Sequence, residues 1–360
     1  MRDQVRVLQA AMYRPWAIHK PAIGSVLEQL SVRSSAVARM SADEIDKAVT
    51  AASTAPLGRM IGSVAVLPVC GVILQKQDFW SWFFGGTSVE RLLASFRQYL
   101  NDPNVSTVVF DVDSPGGEVY GVVEAFEEIL AARGQKKMIA VSNPFMASAA
   151  YWLCCAADEV VVMPSGQAGS VGCYVMHEDL SQMLERVGVD ITFIQHGEHK
   201  TEGNAYEPLS DSARAEYQSS VDYYGGLFDR AVAKARDKSV GEVLANFGQG
   251  RVLRAPDAKK VGMVDRIATL DQVLHKLAPM RSRGLAAGSA MRLTLASDEP
   301  PQVRAAEDVA EPNEDGTCPD GYEKGEDGTC YLPEAHAEAI AQQQADKDAV
   351  EVVLAMTEWA

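Results

Sequence analysis

Between residues 61 and 195, short apolar runs alternate with stretches whose apolar residues recur at helical spacing. Runs at 63–69, 106–112, 138–141, 159–163 and 190–195 read as strands, with 171–176 a further candidate. Residues 60–74, interrupted by Gly62, Pro68 and Gly71, read as a buried strand pair. Thr87 with Glu90 forms a capping box ahead of Val89, Leu92, Leu93 and Phe96, which share one helical face. Residues 118–132, 147–156 and 178–187 read as further helices. Strands joined by helices of about ten to fifteen residues build βαβ units with right-handed crossovers, which constrains the chain to the α/β class. Beyond a loop at 196–209, Ser210 caps a long helix reaching 236, with Ala213 and Tyr217 on one face, and 250–267 closes the domain.

The two ends differ from this middle. Residues 1–59 read as an arm with weak helical periodicity at 27–30 and 42–52. Residues 60–285 form the α/β domain, and 286–360 an acidic tail. Of the net charge of −16, residues 291–360 carry most, with 4 Lys and Arg against 17 Asp and Glu. The remainder is close to neutral, which argues against nucleic-acid binding through a basic face. Pro300, Pro301 and Pro312 mark a linker, and Glu314-Asp-Gly-Thr-Cys318 recurs as Glu326-Asp-Gly-Thr-Cys330. Residues 334–359 have helical character and read as a docking helix. No apolar run has the length of a signal peptide or a membrane span, so the expectation is a soluble, cytoplasmic protein without a membrane anchor. Cys70, Cys154, Cys155 and Cys173 lie in apolar runs, as reduced buried thiols do, whereas Cys318 and Cys330 fall short of a zinc set.

Three places could carry chemistry. Asp113-Ser-Pro-Gly-Gly-Glu118 follows a strand and opens a helix, where glycine backbone N–H groups can receive an oxyanion. Ser148, in Met146-Ala-Ser-Ala-Ala-Tyr151, is a lone serine among small residues at a helix start, with room for a substrate carbonyl. A serine nucleophile needs a base, and none of His19, His177, His196, His199, His275 and His336 falls in a triad pattern. A partly desolvated lysine gives up its proton more readily, and Lys200 lies in a loop after a strand. Singly, each has an ordinary reading: a βα turn, a serine in tight helix packing, a solvated lysine.

The order of the motifs resembles that of the signal peptide peptidase A (protease IV) family. Ser-Pro-Gly-Gly, Ala-Ser-Ala-Ala-Tyr-Trp, Gly169-Ser-Val-Gly172 and a lysine in a Gly-x-x-Lys setting follow one another across residues 60–276. Within that family the sequence is most similar to the phage and prophage head maturation proteases. The resemblance implies a ClpP/crotonase-like fold, Ser148 as nucleophile and Lys200 as general base. It also implies Ser170 as the residue orienting the lysine, and an oxyanion hole from Gly117, Gly116 and Ala149. Ala149 and Ala150 replace the glycines usual in membrane-bound members, which fits the phage branch. The segment Ala258-Lys-Lys-Val-Gly-Met-Val-Asp265 resembles one shared by ClpP and crotonase relatives.

The expected function is a serine endopeptidase acting on capsid, scaffold or portal proteins in a forming phage head, without cofactor or metal. Alternatives are a soluble peptidase degrading signal peptides, a crotonase-like acyl-CoA enzyme, and an inactive assembly protein. Small side chains around Ser148 imply small residues at the cleavage site. A homo-oligomeric ring is expected from the resemblance and from the aromatic stretch Phe79–Phe84.

Overall fold

The computed structural model describes residues 15–20, 40–54, 57–77 and 79–277, with 309–310, 318, 323–324 and 330–331. It divides into two units, Met1–Ser282 and Arg283–Ala360. The first contains β1 (Trp16–Ile18), α1 (Ala42–Thr54), β2 (Arg59–Ile61), β3 (Val64–Leu74), α2 (Phe79–Phe84), β4 (Thr87–Ser88) and α3 (Val89–Asn101). It continues with β5 (Thr107–Glu118), α4 (Val122–Ala131), β6 (Lys137–Ala147), α5 (Ala149–Cys154), β7 (Glu159–Val162), β8 (Gln167–Gly169) and α6 (Ser181–Arg186). It ends with α7 (Asp211–Arg236), α8 (Val240–Asn246), β9 (Val252–Arg254), α9 (Ala255–Lys260), β10 (Arg266–Ile267) and α10 (Leu270–Leu277).

The ten described strands of this unit form one mostly parallel sheet with the central order β10-β7-β6-β5-β3-β2. Neighbours from β10 to β3 are parallel, and β2 precedes β3 and pairs antiparallel with it, but β2 is exposed or half-buried, so of the buried pair read at 60–74 only β3 is buried. The apolar runs are long because both faces are covered. Val64, Val66, Val109, Ile139, Val141 and Val161 pack with Leu270, Val273 and Leu274 of α10. The alternate residues Ala65, Leu67, Val108, Phe110, Met138, Ala140, Val160 and Val162 join a larger core with Phe96 of α3, Phe126 of α4, Trp152 of α5 and Phe228 of α7. Strand period two sends neighbours to opposite faces, so each strand feeds both cores.

Two charged clamps hold the sheet's helical cover. The Arg133 guanidinium donates to the carbonyls of Ala156, Ala157 and Ala235, at 2.9, 2.8 and 3.1 Å, satisfying groups at and just beyond the ends of α5 and α7. Arg236 donates to both carboxylate oxygens of Asp265, at 3.0 and 2.6 Å, while Asp265 also accepts the Val160 N–H at 2.7 Å. Burial works to raise the Asp265 pKa, but Arg236 and the Val160 N–H outweigh it and hold the carboxyl below the usual range.

Several local expectations change. The cap of α3 is Ser88, which accepts the Arg91 N–H, because Thr87 is held in β4 by hydrogen bonds to both main-chain groups of Cys70. β5 runs on through the Ser-Pro-Gly-Gly motif to Glu118, and its helix starts only at Val122. Residues 190–195 form no strand, since no edge pairs with them, and α6 is confined to Ser181–Arg186. Residues 171–176 contribute a single bridge at Tyr174 rather than a strand. The aromatic stretch forms α2, with Ser81 and Phe83 buried. Cys154 and Cys155 are buried free thiols, the latter pushed up to about 12 by burial, whereas free Cys70 is exposed. No described helix is long and apolar enough to cross a membrane.

The arm yields α1, close to the periodicity at 42–52, while 27–30 lies outside the described residues. It also yields β1, which sequence periodicity missed. In the second unit, β11 (Val309–Ala310), β12 (Glu323–Lys324) and β13 (Cys330–Tyr331) make an antiparallel sheet in the order β11-β13-β12, inside the stretch read as a linker. Cys318 is disulfide-bonded, which removes it from any metal set. The docking helix proposed at 334–359 lies outside the described residues.

Candidate active site

Ser148 occupies the single-residue junction between β6 and α5, with φ 56° and ψ −121°. A side chain at positive φ is strained, and such strain persists only where neighbours enforce it. Here the Ser148 N–H donates to Gly169 O at 2.7 Å, and its carbonyl accepts the Trp152 N–H at 2.9 Å. All six residues of α5 are buried, and Trp152 stacks on Phe228 with centroids 4.4 Å apart. A serine at a helix start ordinarily caps the helix with its hydroxyl. Ser148 makes no such cap bond; its Oγ is buried without a partner, and the residue is 1% exposed. A hydroxyl spared from structural duty, on a rigid strained turn, is what a nucleophile requires.

The Ser-Pro-Gly-Gly motif arrives beside it on β5. Gly116 has φ 98°, and a Cβ there would stand 2.9 Å from both Ala149 N and Ser148 Cβ. A Cβ on Gly117 would lie 1.9 Å from Ile73 O, so strand β3 approaches too closely for any side chain. The Gly116 N–H donates to Ser114 Oγ at 3.2 Å, and that hydroxyl donates to Gly71 O at 2.6 Å. The Gly116 N–H is thus already engaged, whereas Gly117 pairs in the ladder opposite Ala17 and Ile73. Ala149 is the first residue of α5, where an N–H has no carbonyl one turn earlier. Gly117 lies near the end of a strand and Ala149 at a helix start, rather than both in a strand-to-helix turn as read at 113–118.

Ser170 is 6% exposed with φ 57°, its N–H given to Arg251 O at 2.8 Å. Its Oγ lies 3.4 Å from Nδ1 of His19, a ring that also packs edge-on against Phe145 and whose pKa burial lowers. Lys200 is not brought to the nucleophile. It lies exposed in a turn, where its N–H donates to Gly197 O at 3.2 Å. No residue between 172 and 204 is buried. His199, its neighbour, is equally remote in character, exposed and paired with Glu202 at 2.9 Å, which raises its pKa. Among the described residues no three His, Cys, Asp or Glu side chains group as a metal site would need.

Ser148 is thus a buried, unpartnered serine beside Gly116, Gly117 and the first residue of a helix. The profile of Peptidase family S49 matches residues 131–282. The matched span holds Ser148, Ser170 and Lys200, and begins after Gly116 and Gly117. The chain is 28% identical over 256 residues to the head–tail preconnector protein GP5 of Enterobacteria phage P21, covering 71% of this chain and 49% of that protein. It is 31% identical over 209 residues to the capsid assembly protease C of Escherichia phage lambda, covering 58% of this chain and 47% of that one. Protease 4 of Salmonella typhi is 29% identical over 229 residues, covering 61% and 35%. The chain thus spans about half the length of the two phage proteins it matches, or less in the case of protease 4.

Sequence reasoning missed one part of this site. β1 pairs antiparallel with β5 across the glycine motif, in the register Trp16↔Glu118, Ala17↔Gly117 and Ile18↔Gly116. The only available signal was a short apolar run, Trp16-Ala-Ile18, inside a segment with no strand-like alternation.

Proposed function

We propose that this chain is a serine endopeptidase with a Ser148–Lys200 dyad that processes capsid, scaffold or portal proteins during phage or prophage head assembly. The observation that carries the chemistry is the partnerless, buried Oγ of Ser148 on a strained turn beside Gly116, Gly117 and Ala149. Ser148 Oγ adds to the scissile carbonyl as its proton passes to the Lys200 amine. The oxyanion takes the N–H groups of Gly117 and Ala149, with Ser170 Oγ available to hold the lysine. The leaving amine carries the proton away, and water then hydrolyses the acyl-enzyme. The names of the two phage relatives support the choice of substrate.

The dyad requires Lys200 to move in from its exposed turn. The segment that carries it also exposes Val187 at 66% and Ile194 at 99%, which supports packing against a second copy of the chain as the step that orders it. A fluorophosphonate probe tests the reading. The expected result is one adduct, on the peptide containing Ser148, absent from Ser148→Ala and suppressed in Lys200→Arg. Labelling elsewhere, or none in an oligomeric preparation, sinks the assignment. An acyl-CoA enzyme would use the same oxyanion donors but would have no need to leave Ser148 Oγ unpaired.

A further inference from the structure

The site is already filled by a piece of the chain itself. β1 lies between two edges, as a peptide does when it adds to a sheet. On one side it pairs with Gly116–Gly117–Glu118 of β5. On the other, Trp16 and Tyr174 exchange both main-chain hydrogen bonds, each at 3.0 Å. The pairing continues at both ends, with Val119 N–H donating to Pro15 O at 3.4 Å and His19 N–H to Pro115 O at 2.7 Å.

The side chains follow the same logic. Trp16 and Ile18 form a small separate apolar cluster with Val72, Leu74 and Tyr174. Ala17, pointing the other way, is fully buried in the core cluster that includes Ala149. Its carbonyl oxygen decides the register. A Cβ placed on Gly116 would stand 2.2 Å from Ala17 O and 2.9 Å from both Ala149 N and Ser148 Cβ. One small volume is therefore ringed by the nucleophile, an oxyanion donor and the Ala17 carbonyl, while Gly117, the other donor, lies directly opposite Ala17. A small residue stands where small neighbours leave room for nothing larger.

We propose that residues 15–19 are bound as this enzyme's own first substrate, with Ala17–Ile18 as the bond presented to Ser148. This rests on the peptidase reading above. Ser148 Oγ forms an ester to the Ala17 carbonyl carbon and passes its proton to Lys200. The Ala17–Ile18 C–N bond breaks, and the Ile18 nitrogen takes that proton as a new amino terminus. Water then cleaves the ester, restoring the Ser148 hydroxyl and leaving a carboxylate on Ala17. Until this segment leaves, a second peptide cannot use the same strand edges, so self-processing precedes cleavage of other chains.

The test incubates the full chain and follows its intact mass and amino-terminal sequence, alongside a fluorescent peptide with the sequence of residues 15–20. The expected result is loss of residues 1–17, a new terminus at Ile18, and a lag in peptide cleavage that ends as that terminus accumulates. Ser148→Ala stays intact, and so does Ile18→Pro at this bond, because the leaving amine becomes a ring nitrogen. A wild-type chain that cuts the added peptide at once while keeping its own Ala17–Ile18 bond overturns the proposal and leaves the peptidase reading standing. A wild-type chain that cuts neither, and whose Ser148 takes no probe, overturns both.

Discussion

The two halves of the proposed dyad are built differently. Ser148 stands on β6 and α5, among side chains that are almost all buried, its main chain fixed at both ends by hydrogen bonds. Lys200 stands in a stretch from 172 to 204 without one buried residue and with a single helix of six residues. Rigid packing alone determines the first half; the second has too few apolar contacts to determine itself. The chemistry asks equally of both, so the comparison predicts equal losses of activity from unequal structural damage.

The largest effects should be on catalysis. Ser148→Ala and Lys200→Arg should each lower peptide hydrolysis by at least about a thousandfold, the first by removing the nucleophile and the second because a guanidinium stays protonated. Neither should change the unfolding free energy by more than about 1 kcal/mol in a urea titration, since one removes a single buried oxygen and the other alters an exposed side chain. Turnover retained in Lys200→Arg would break the pairing of the two halves and leave the serine with another base.

Packing comes next. Trp152→Ala removes the stacked partner of Phe228 beneath the nucleophile turn and should cost about 3–5 kcal/mol, read by urea unfolding. An equal truncation in the other half, Ile194→Ala, should stay within about 0.5 kcal/mol in the isolated chain. Similar costs at both positions would erase the contrast.

The same contrast governs what could be read from sequence. The strands and helices of the Ser148 half were legible because a doubly covered sheet imposes long apolar runs and helices impose their own period, as at Val89, Leu92, Leu93 and Phe96. The serine motif could be singled out only through the order of motifs it shares with a known family, since a lone serine among small residues also suits tight helix packing. Residues 190–195 misled because their apolar side chains, Ile191 and Ile194 among them, look like a strand but are exposed, their partner surface belonging to nothing in this chain's described core. β1 was illegible for the opposite reason. Three residues are too few to show a period, and what holds Trp16–Ile18 is the main chain of β5 and Tyr174, to which sequence patterning is blind. Gly116 likewise matched its motif, but that Ser114 takes its N–H follows only from coordinates.

A smaller effect separates the halves by pH. Asp265 joins β7 to α7 through Val160 and Arg236, and its folded pKa lies below its ordinary value. A depressed carboxylate contributes stability that is complete above its unfolded pKa and fades as pH falls through the folded one. Asp265→Asn should therefore cost about 2 kcal/mol near neutrality, much of it from leaving the buried Arg236 uncompensated, reduced by the partial exposure of the carboxylate. The difference from wild type should shrink between about pH 5 and about pH 2. A gap that stays constant through that range would assign the loss to shape rather than charge.

The smallest change in stability should accompany a change in assembly. Val187 and Ile194 place branched apolar side chains in water at an energetic loss that burial against another copy would recover, at about 25 cal/mol per Å² of area removed. The double substitution Val187→Ser and Ile194→Ser should leave the isolated chain's melting almost unmoved, within about 0.5 kcal/mol, because neither side chain packs on the core. It should shift the mass seen by light scattering from oligomer to monomer. Activity should fall with it, through slower probe labelling of Ser148, since Lys200 shares the segment that the contact would order. A monomeric wild type with full activity would show that Lys200 finds Ser148 within one chain, by a fold-back that exposed apolar residues do not require. An oligomer that survives the double substitution while labelling still drops would separate the two roles, and would locate the ordering of Lys200 in the segment's own packing onto the site.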